Sequence, residues 1–379
     1  MNTFLSAEQE AVRQTYLTFA NEQIAPIARD LESHKSCLKE FLQNLGQKGY
    51  LGIAVPREYG GQGLSFVFCA LFAEAVGMVE PGLGLSLANH YAVIEVLKRY
   101  GTETQQSRYL PLLARGEALG TTAFSEEKAG TDFRAVTSTV TKQADGFVLN
   151  GKKTWVINGE FAGLALVLAG AGADENNQLS LLLVDCTDKA QKCSGDAGRL
   201  GLKSAYLNTV EFKDQKLSQE ANISHAKDAS DVIAMYSMDV AKVIMASAAV
   251  GLNFAAMNEA LEHARTREQF GTPIGQFQGI QWKLADMGTE GEAARLHVMR
   301  AAWSLENEPE SFSKNAAMCK WFAAKVARQH SGEALQVMGA AGLMEDNKVE
   351  KLYRDAKAME ICLGTSEAQK MQLVDLLEI

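Results

Sequence analysis

Proline is scarce in this chain, six residues among 379, roughly a third of average usage. That excludes a proline-rich linker or polyproline protein and suits long helices, whose interiors reject proline. Six cysteines, Cys37, Cys69, Cys186, Cys193, Cys319 and Cys362, lie far apart with no CxxC or Cys/His cluster. No metal site, iron–sulfur cluster or disulfide framework is expected from that pattern. Basic charge is also short: the formal charge is −9 and the pI about 5.4, which argues against binding to phosphate backbones of nucleic acid. No apolar run approaches the roughly 18 residues of a membrane span, and MNTFLSAEQEAVRQTYL lacks the basic and apolar regions of a signal peptide. A cytoplasmic protein without membrane partners is the expectation.

With 47% hydrophobic and 22% charged residues, the chain has a folded protein's composition, and its length predicts two or three packed units. SAEQ matches a capping box in which Ser6 and Gln9 satisfy free helix donors, and Val12, Tyr16, Phe19 and Ile24 follow at helical spacing. Further helices read through FLQNLGQKGYL, FVFCALFAEAVGMV and YAVIEVLKRYG, with breaks at VPREYGGQG and EPGLG. Residues 1–116 therefore form a helical domain. Residues 117–218 change to short Val-, Thr-, Leu- and Phe-rich runs, with tight turns expected at Asp145-Gly146 and Asn150-Gly151. Residues 219–379 return to long alanine-rich helices with apolar residues three and four apart, as an antiparallel bundle requires. Such an order leaves grooves at domain junctions, where flat cofactors bind.

Several polar turns can do more than connect. AFSEEKAGTD follows an apolar strand and offers Ser125, Thr131 and backbone amides to a ligand, although a solvated loop has the same composition. In TWVINGEFA, Trp155 ends a strand, and the ordinary fate of a tryptophan is the core. ARTREQFGTPIGQFQGIQ sets Arg267, Phe270 and Gln278 around a glycine-rich break between long helices. LQVMGAAGL and YRDAKAMEICLGTSEAQ complete the series, each weak by itself.

Taken in order, these stretches resemble the acyl-CoA dehydrogenase family of flavoproteins along essentially the whole chain. VPREYGGQG stands for the family's VP-x-x-YGG-x-G, SEEKAGTD for (T/S)EP-x-AGSD, WVING for W-I-T-N-G and RTREQFGTPIGQFQ for R-x-x-FG-(x)-Q. QVMGAAG stands for Q-x-x-GG-x-G, and LYRDAKAMEICLGTSE for LYRDA and GTSE. The resemblance implies a mostly helical α+β fold: an N-terminal helical domain, a middle β-barrel-like domain and a C-terminal four-helix bundle, assembled as a homotetramer. It implies FAD, with Phe124, Ser125, Thr131 and Trp155 lining the flavin and its diphosphate. Arg267, Phe270, Gln278, Gln336 and Gly339 would reach the cofactor across a subunit interface, where an arginine fork suits pyrophosphate oxygens. Thr365 and Glu367 would meet FAD from the GTSE turn.

The family's catalytic Glu stands immediately before the Gly of that turn, after a Tyr; here Leu363 and Cys362 occupy those places. A second family position for the base falls on Ala241. Leucine and alanine cannot take a proton, so proton removal from an acyl thioester lacks its usual carboxylate. Asp239 lies roughly 200° from Ala241 around a helix and matches an acidic residue near the CoA adenine. Lys242 replaces an arginine that helps fix the thioester, and Leu363 itself would border the substrate. Glu360 is a surrogate base only if the turn swings it inward, its plainer role being on the surface, and His90 is no better placed. Ile157 replaces a hydroxyl residue at the flavin's reactive edge, Ala340 the second glycine of the Q-x-x-GG turn, and Glu127 the proline of T-E-P.

The expected function is thus FAD-dependent oxidation of an acyl thioester, as Cα–Cβ dehydrogenation with a displaced base or a related oxidation. An alternative is a biosynthetic relative acting on an acyl or aminoacyl group carried by an acyl-carrier protein. Another is a catalytically silent flavin-binding subunit. The electron acceptor would be an electron-transfer flavoprotein or dioxygen.

Overall fold

The structure is a computed structural model that describes residues 5–171, 178–187, 191–195, 198–224 and 229–376. Its first six α-helices are α1 (Ala7–Phe19), α2 (Ala28–Ser33), α3 (Lys35–Gln47), α4 (Phe66–Gly77), α5 (Pro81–Tyr100) and α6 (Glu103–Ala114). The capping box forms as read: Gln9 N–H donates to Ser6 Oγ at 3.1 Å and Ser6 N–H to Gln9 Oε1 at 2.9 Å. EPGLG is a break only up to Glu80. That residue caps α5 by accepting from Gly82 N–H at 3.3 Å, and Pro81 takes the first helical position, where no amide hydrogen is missed. The helix is consequently longer at its start than YAVIEVLKRYG predicts.

The middle region holds β1 (Leu119–Ala123), β2 (Thr139–Gln143), β3 (Gly146–Ile157), β4 (Ala162–Ala171), β5 (Leu179–Asp185), β6 (Lys192–Ser194) and β7 (Leu207–Ser218). They form one sheet ordered β1-β4-β2-β3-β7-β6, with β5 on the other edge of β4. Asp145-Gly146 makes the expected hairpin, pairing Gln143 with Gly146 across it. Asn150-Gly151 does not turn: β3 runs straight through it and the register with β7 slips there as a bulge. Glycine is required for a different reason, since a side-chain carbon at Gly151 would lie 2.1 Å from Ser138 Oγ.

The last third comprises α7 (Ala229–Thr266), the short hairpin β8 (Glu268–Gln269) and β9 (Thr272–Pro273), α8 (Gln278–Asn307), α9 (Pro309–Met338), α10 (Lys348–Ile361) and α11 (Ser366–Leu376). Helix α9 packs against α7, α8, α10 and α11, while α7 also packs against α4 and α5. A side-chain carbon on Gly84 would sit 2.4 Å from Ala248 Cβ, so small residues set the α5–α7 approach. The two helical regions therefore share one continuous core, and the sheet keeps a second one around Leu149, Val167, Leu182 and Phe212. By length and composition α7 is apolar enough to cross a membrane, but its apolar window is 94% buried inside the fold.

A buried ionic junction ties all three regions. Lys351 of α10 lies 3.3 Å from Glu32, 3.1 Å from Glu80 and 2.6 Å from Asp355. Asp355 accepts from Leu202 N–H at 2.6 Å and Glu80 from Ser204 Oγ at 2.8 Å. Burial pushes Glu80 up to about 7 against the pull of Lys351. Part of the LYRDA run is thus structural, joining helices to sheet.

Candidate active site

The loop after β1 is held from beneath by a buried ion pair. Lys153 of β3, with no exposed surface, donates to Glu126 Oε1 at 2.7 Å and to the Phe124 carbonyl at 3.2 Å. Glu126 Oε1 also accepts from Ser138 N–H at 3.0 Å, and Oε2 accepts from the Thr137 amide and hydroxyl, each at 2.6 Å. Burial alone would raise the Glu126 carboxyl; the bonds from Lys153, Thr137 and Ser138 outweigh it and hold it at about 2. Above this clamp Phe124 is buried, Ser125 half-buried and Thr131 exposed. The sequence expectation names Ser125 and Thr131 but not the Glu126–Lys153 pair beneath them. The available signal is a lysine in a strand beside Lys152, which is exposed, so that alternation points Lys153 inward.

Trp155 is not in the core. The register of β3 slips between Lys153 and Val156, Trp155 takes φ 59°, and the ring stands 63% exposed. Ile157 is buried, its carbonyl accepting from Thr121 Oγ1 at 2.6 Å. Asn158, at φ 52°, donates its side-chain amide to Ser86 Oγ at 2.8 Å and its backbone N–H to Tyr206 O at 2.6 Å. His90 is buried with Nδ1 accepting from Gly120 N–H at 3.1 Å. Burial lowers it to about 4, so it is a neutral group joining α5 to β1.

Arg267, Phe270 and Gln278 sit on and beside the β8–β9 hairpin, all exposed; Phe270 is 96% exposed at φ 53°. Gln336 and Gly339, at the end of α9, are exposed too. Among the described residues, no hydrogen bond or ring contact links this group to residues 124–157 within one chain. At Gly130, Gly271 and Gly339 nothing lies within 4 Å of where a side-chain carbon would be.

Helix α10 ends at the third part of the site. Leu363 adopts φ 56° and Gly364 φ 91°, after which Thr365 caps α11 by accepting from Ala368 N–H at 3.3 Å. Glu367 is exposed in the first turn of α11, where its backbone N–H and Thr365 lower its carboxyl. Lys320 of α9, 1% exposed, donates to the carbonyls of Glu360 at 3.2 Å and Gly364 at 2.5 Å. Burial raises the Cys362 thiol. Glu360 does not swing inward: its carboxylate lies 2.7 Å from Lys357 and 3.3 Å from Arg328. Ala241 is buried in α7. Asp239 and Lys242, also buried, bond each other at 2.8 Å, and Gln372 of α11 bonds Lys242 at 2.6 Å and Asp239 at 3.3 Å.

Among the described residues, six non-glycine residues have positive φ, and four of them, Trp155, Asn158, Phe270 and Leu363, fall in the motif stretches. Strain of this kind, on the order of 1–3 kcal/mol each, is retained where surrounding structure enforces it, typically at ligand sites.

Comparison with known proteins covers nearly the whole chain. Models for the acyl-CoA dehydrogenase N-terminal, middle and C-terminal domains match residues 6–117, 121–215 and 232–377. The chain is similar to the probable acyl-CoA dehydrogenase YngJ of Bacillus subtilis, 34% identical over 374 residues and 98% of each chain. Butyryl-CoA dehydrogenase from Megasphaera elsdenii superposes with a TM-score of 0.93 at 28% identity, covering 100% of both chains. A prolyl acyl carrier protein oxidase gives 0.92 at 26% identity, covering 99% of this chain and 100% of the other.

Proposed function

The chain belongs to the acyl-CoA dehydrogenase family of FAD-dependent oxidoreductases, and we propose that it oxidises an acyl thioester without the family's usual carboxylate base. The observation that carries this reading is the apolar pair at the two base positions, Leu363 at the turn and Ala241 buried in α7. FAD, when bound, supplies the hydride acceptor. The chain's donor set fits it: an exposed indole at Trp155, hydroxyls at Ser125, Thr131 and Thr365, the Arg267 guanidinium, and glycines at 130, 271 and 339 with open space beside them. Trp155, Phe124 and Ile157 would border the ring system, and Leu363 would keep water from the reacting carbon.

Arg267, Phe270, Gln278, Gln336 and Gly339 would complete the site of a neighbouring copy in a homotetramer; their exposure in one chain supports this. Electrons would leave to an electron-transfer flavoprotein, dioxygen being the other acceptor to try. A yellow protein should bleach anaerobically with an acyl-CoA. If FAD is bound and neither acyl-CoA nor acyl-carrier protein bleaches it, the enzymatic reading falls in favour of a silent flavin-binding subunit.

One observation favours a second reading, a substrate on a carrier protein. Asp239 and Lys242 neutralise each other in the interior, which leaves neither for a CoA nucleotide. A carrier's pantetheine arm has no nucleotide to bind. Bleaching by acyl-carrier protein but not acyl-CoA would select this substrate class.

A further inference from the structure

The turn between α10 and α11 has two consecutive residues in the left-handed region, Leu363 at φ 56° and Gly364 at φ 91°. For leucine that conformation costs about 1–2 kcal/mol, so it persists only where something outside the turn enforces it. Two side chains do. Gln369 Nε2 donates to the Leu363 and Gly364 carbonyls, both at 3.2 Å. Lys320 reaches in from α9 and donates to Glu360 O and Gly364 O. The Glu360 carbonyl belongs to the last turn of α10, where helix carbonyls lack intrahelical partners and the dipole favours a cation.

Lys320 is costly to bury, and no carboxylate among the described residues forms an ion pair with it. The ionisable groups that face it are Glu360 from α10, Cys362 just past its end, Glu367 from α11 and Lys242 from α7. Burial draws it down to about 8, which leaves it charged at neutral pH. A buried cation bonded only to main-chain oxygens is spent on geometry.

We propose that Lys320 is a positioning residue for the cofactor-facing turn: its ammonium, bonded to the carbonyls either side of Leu363, fixes the backbone from Cys362 to Thr365. Through that backbone it sets how Thr365 and Glu367 meet the cofactor. The second step rests on the reading of this turn as an FAD contact; the first does not.

The test is Lys320→Met, which keeps length and removes charge, with Lys320→Arg as the conservative control and Gln369→Leu as a second route should Lys320→Met not fold. Hydrogen exchange of the cofactor-free protein should accelerate at the amides of 362–366 and leave the remainder of α9 and α10 protected. FAD affinity should fall about ten- to hundredfold, as expected for a lost charge-assisted bond, and Lys320→Arg should recover part of it. Unchanged exchange at 362–366 overturns the proposal. So does faster exchange with wild-type FAD affinity, since the turn is then clamped but does not govern the cofactor. Failure of the wild-type protein to bind FAD would sink the functional reading, whereas the exchange result would still decide whether Lys320 holds the turn.

Discussion

Lys153 and Lys320 each lie buried beneath a loop of the site, but Lys153 meets a carboxylate, Glu126, while Lys320 meets only carbonyls. The first loop holds Ser125 and Thr131, the hydroxyl residues proposed above to meet the cofactor. The second carries Leu363 between the two carbonyls that accept from its lysine. A loop held by an ion pair is sensitive to pH and to loss of either partner; one held on its own backbone depends on geometry.

Leu363→Glu is the sharpest way to erase the difference, since it places a carboxylate in the second loop. Flavin reduction by an acyl-CoA should accelerate by about 10²–10⁴, the usual contribution of a positioned base. A variant that binds FAD and thioester yet gains nothing in stopped-flow reduction would mean more than the base has changed. Lys153→Met should cost about 3–5 kcal/mol in urea unfolding, because it leaves Glu126 buried without its cation. A loss below about 1 kcal/mol would remove the ion pair as the first loop's support.

The same pair sets a pH window. Glu126 is held at about 2 against an ordinary 4.5, so its stabilisation is complete above 4.5 and is lost as pH falls from there through 2. Thermal unfolding across that window should show the loss in wild type and in Lys320→Met, and show less of it in Lys153→Met. The smallest effect is expected at Trp155. It is 63% exposed and strained at φ 59°, so Trp155→Gly should leave stability unchanged or raise it by about 1 kcal/mol. FAD affinity should nevertheless fall, which would separate a residue kept for the ligand from one kept for the fold.

Local chemistry was readable where neighbours in sequence are also partners in space. Ser6 and Gln9 cap their own helix, Asp145-Gly146 turns its own hairpin, and the three-and-four spacing of α7 to α9 is set by helix geometry. The family was legible too, because its motif stretches recur in order along the chain. Asn150-Gly151 misled because its role is set by a distant residue, Ser138, pressing on the glycine.

The sequence by itself determined the family and the cofactor, because each of these depends on residue identity in local runs. Only the tertiary structure decided that Trp155 faces out, that Glu360 is held by Lys357 and Arg328, that Asp239 and Lys242 satisfy each other, and that Lys153 and Lys320 are interior. A lysine's burial depends on what acceptors the fold brings to it, and those acceptors, Glu126 for one and Glu360 O and Gly364 O for the other, lie 27, 40 and 44 residues away along the chain.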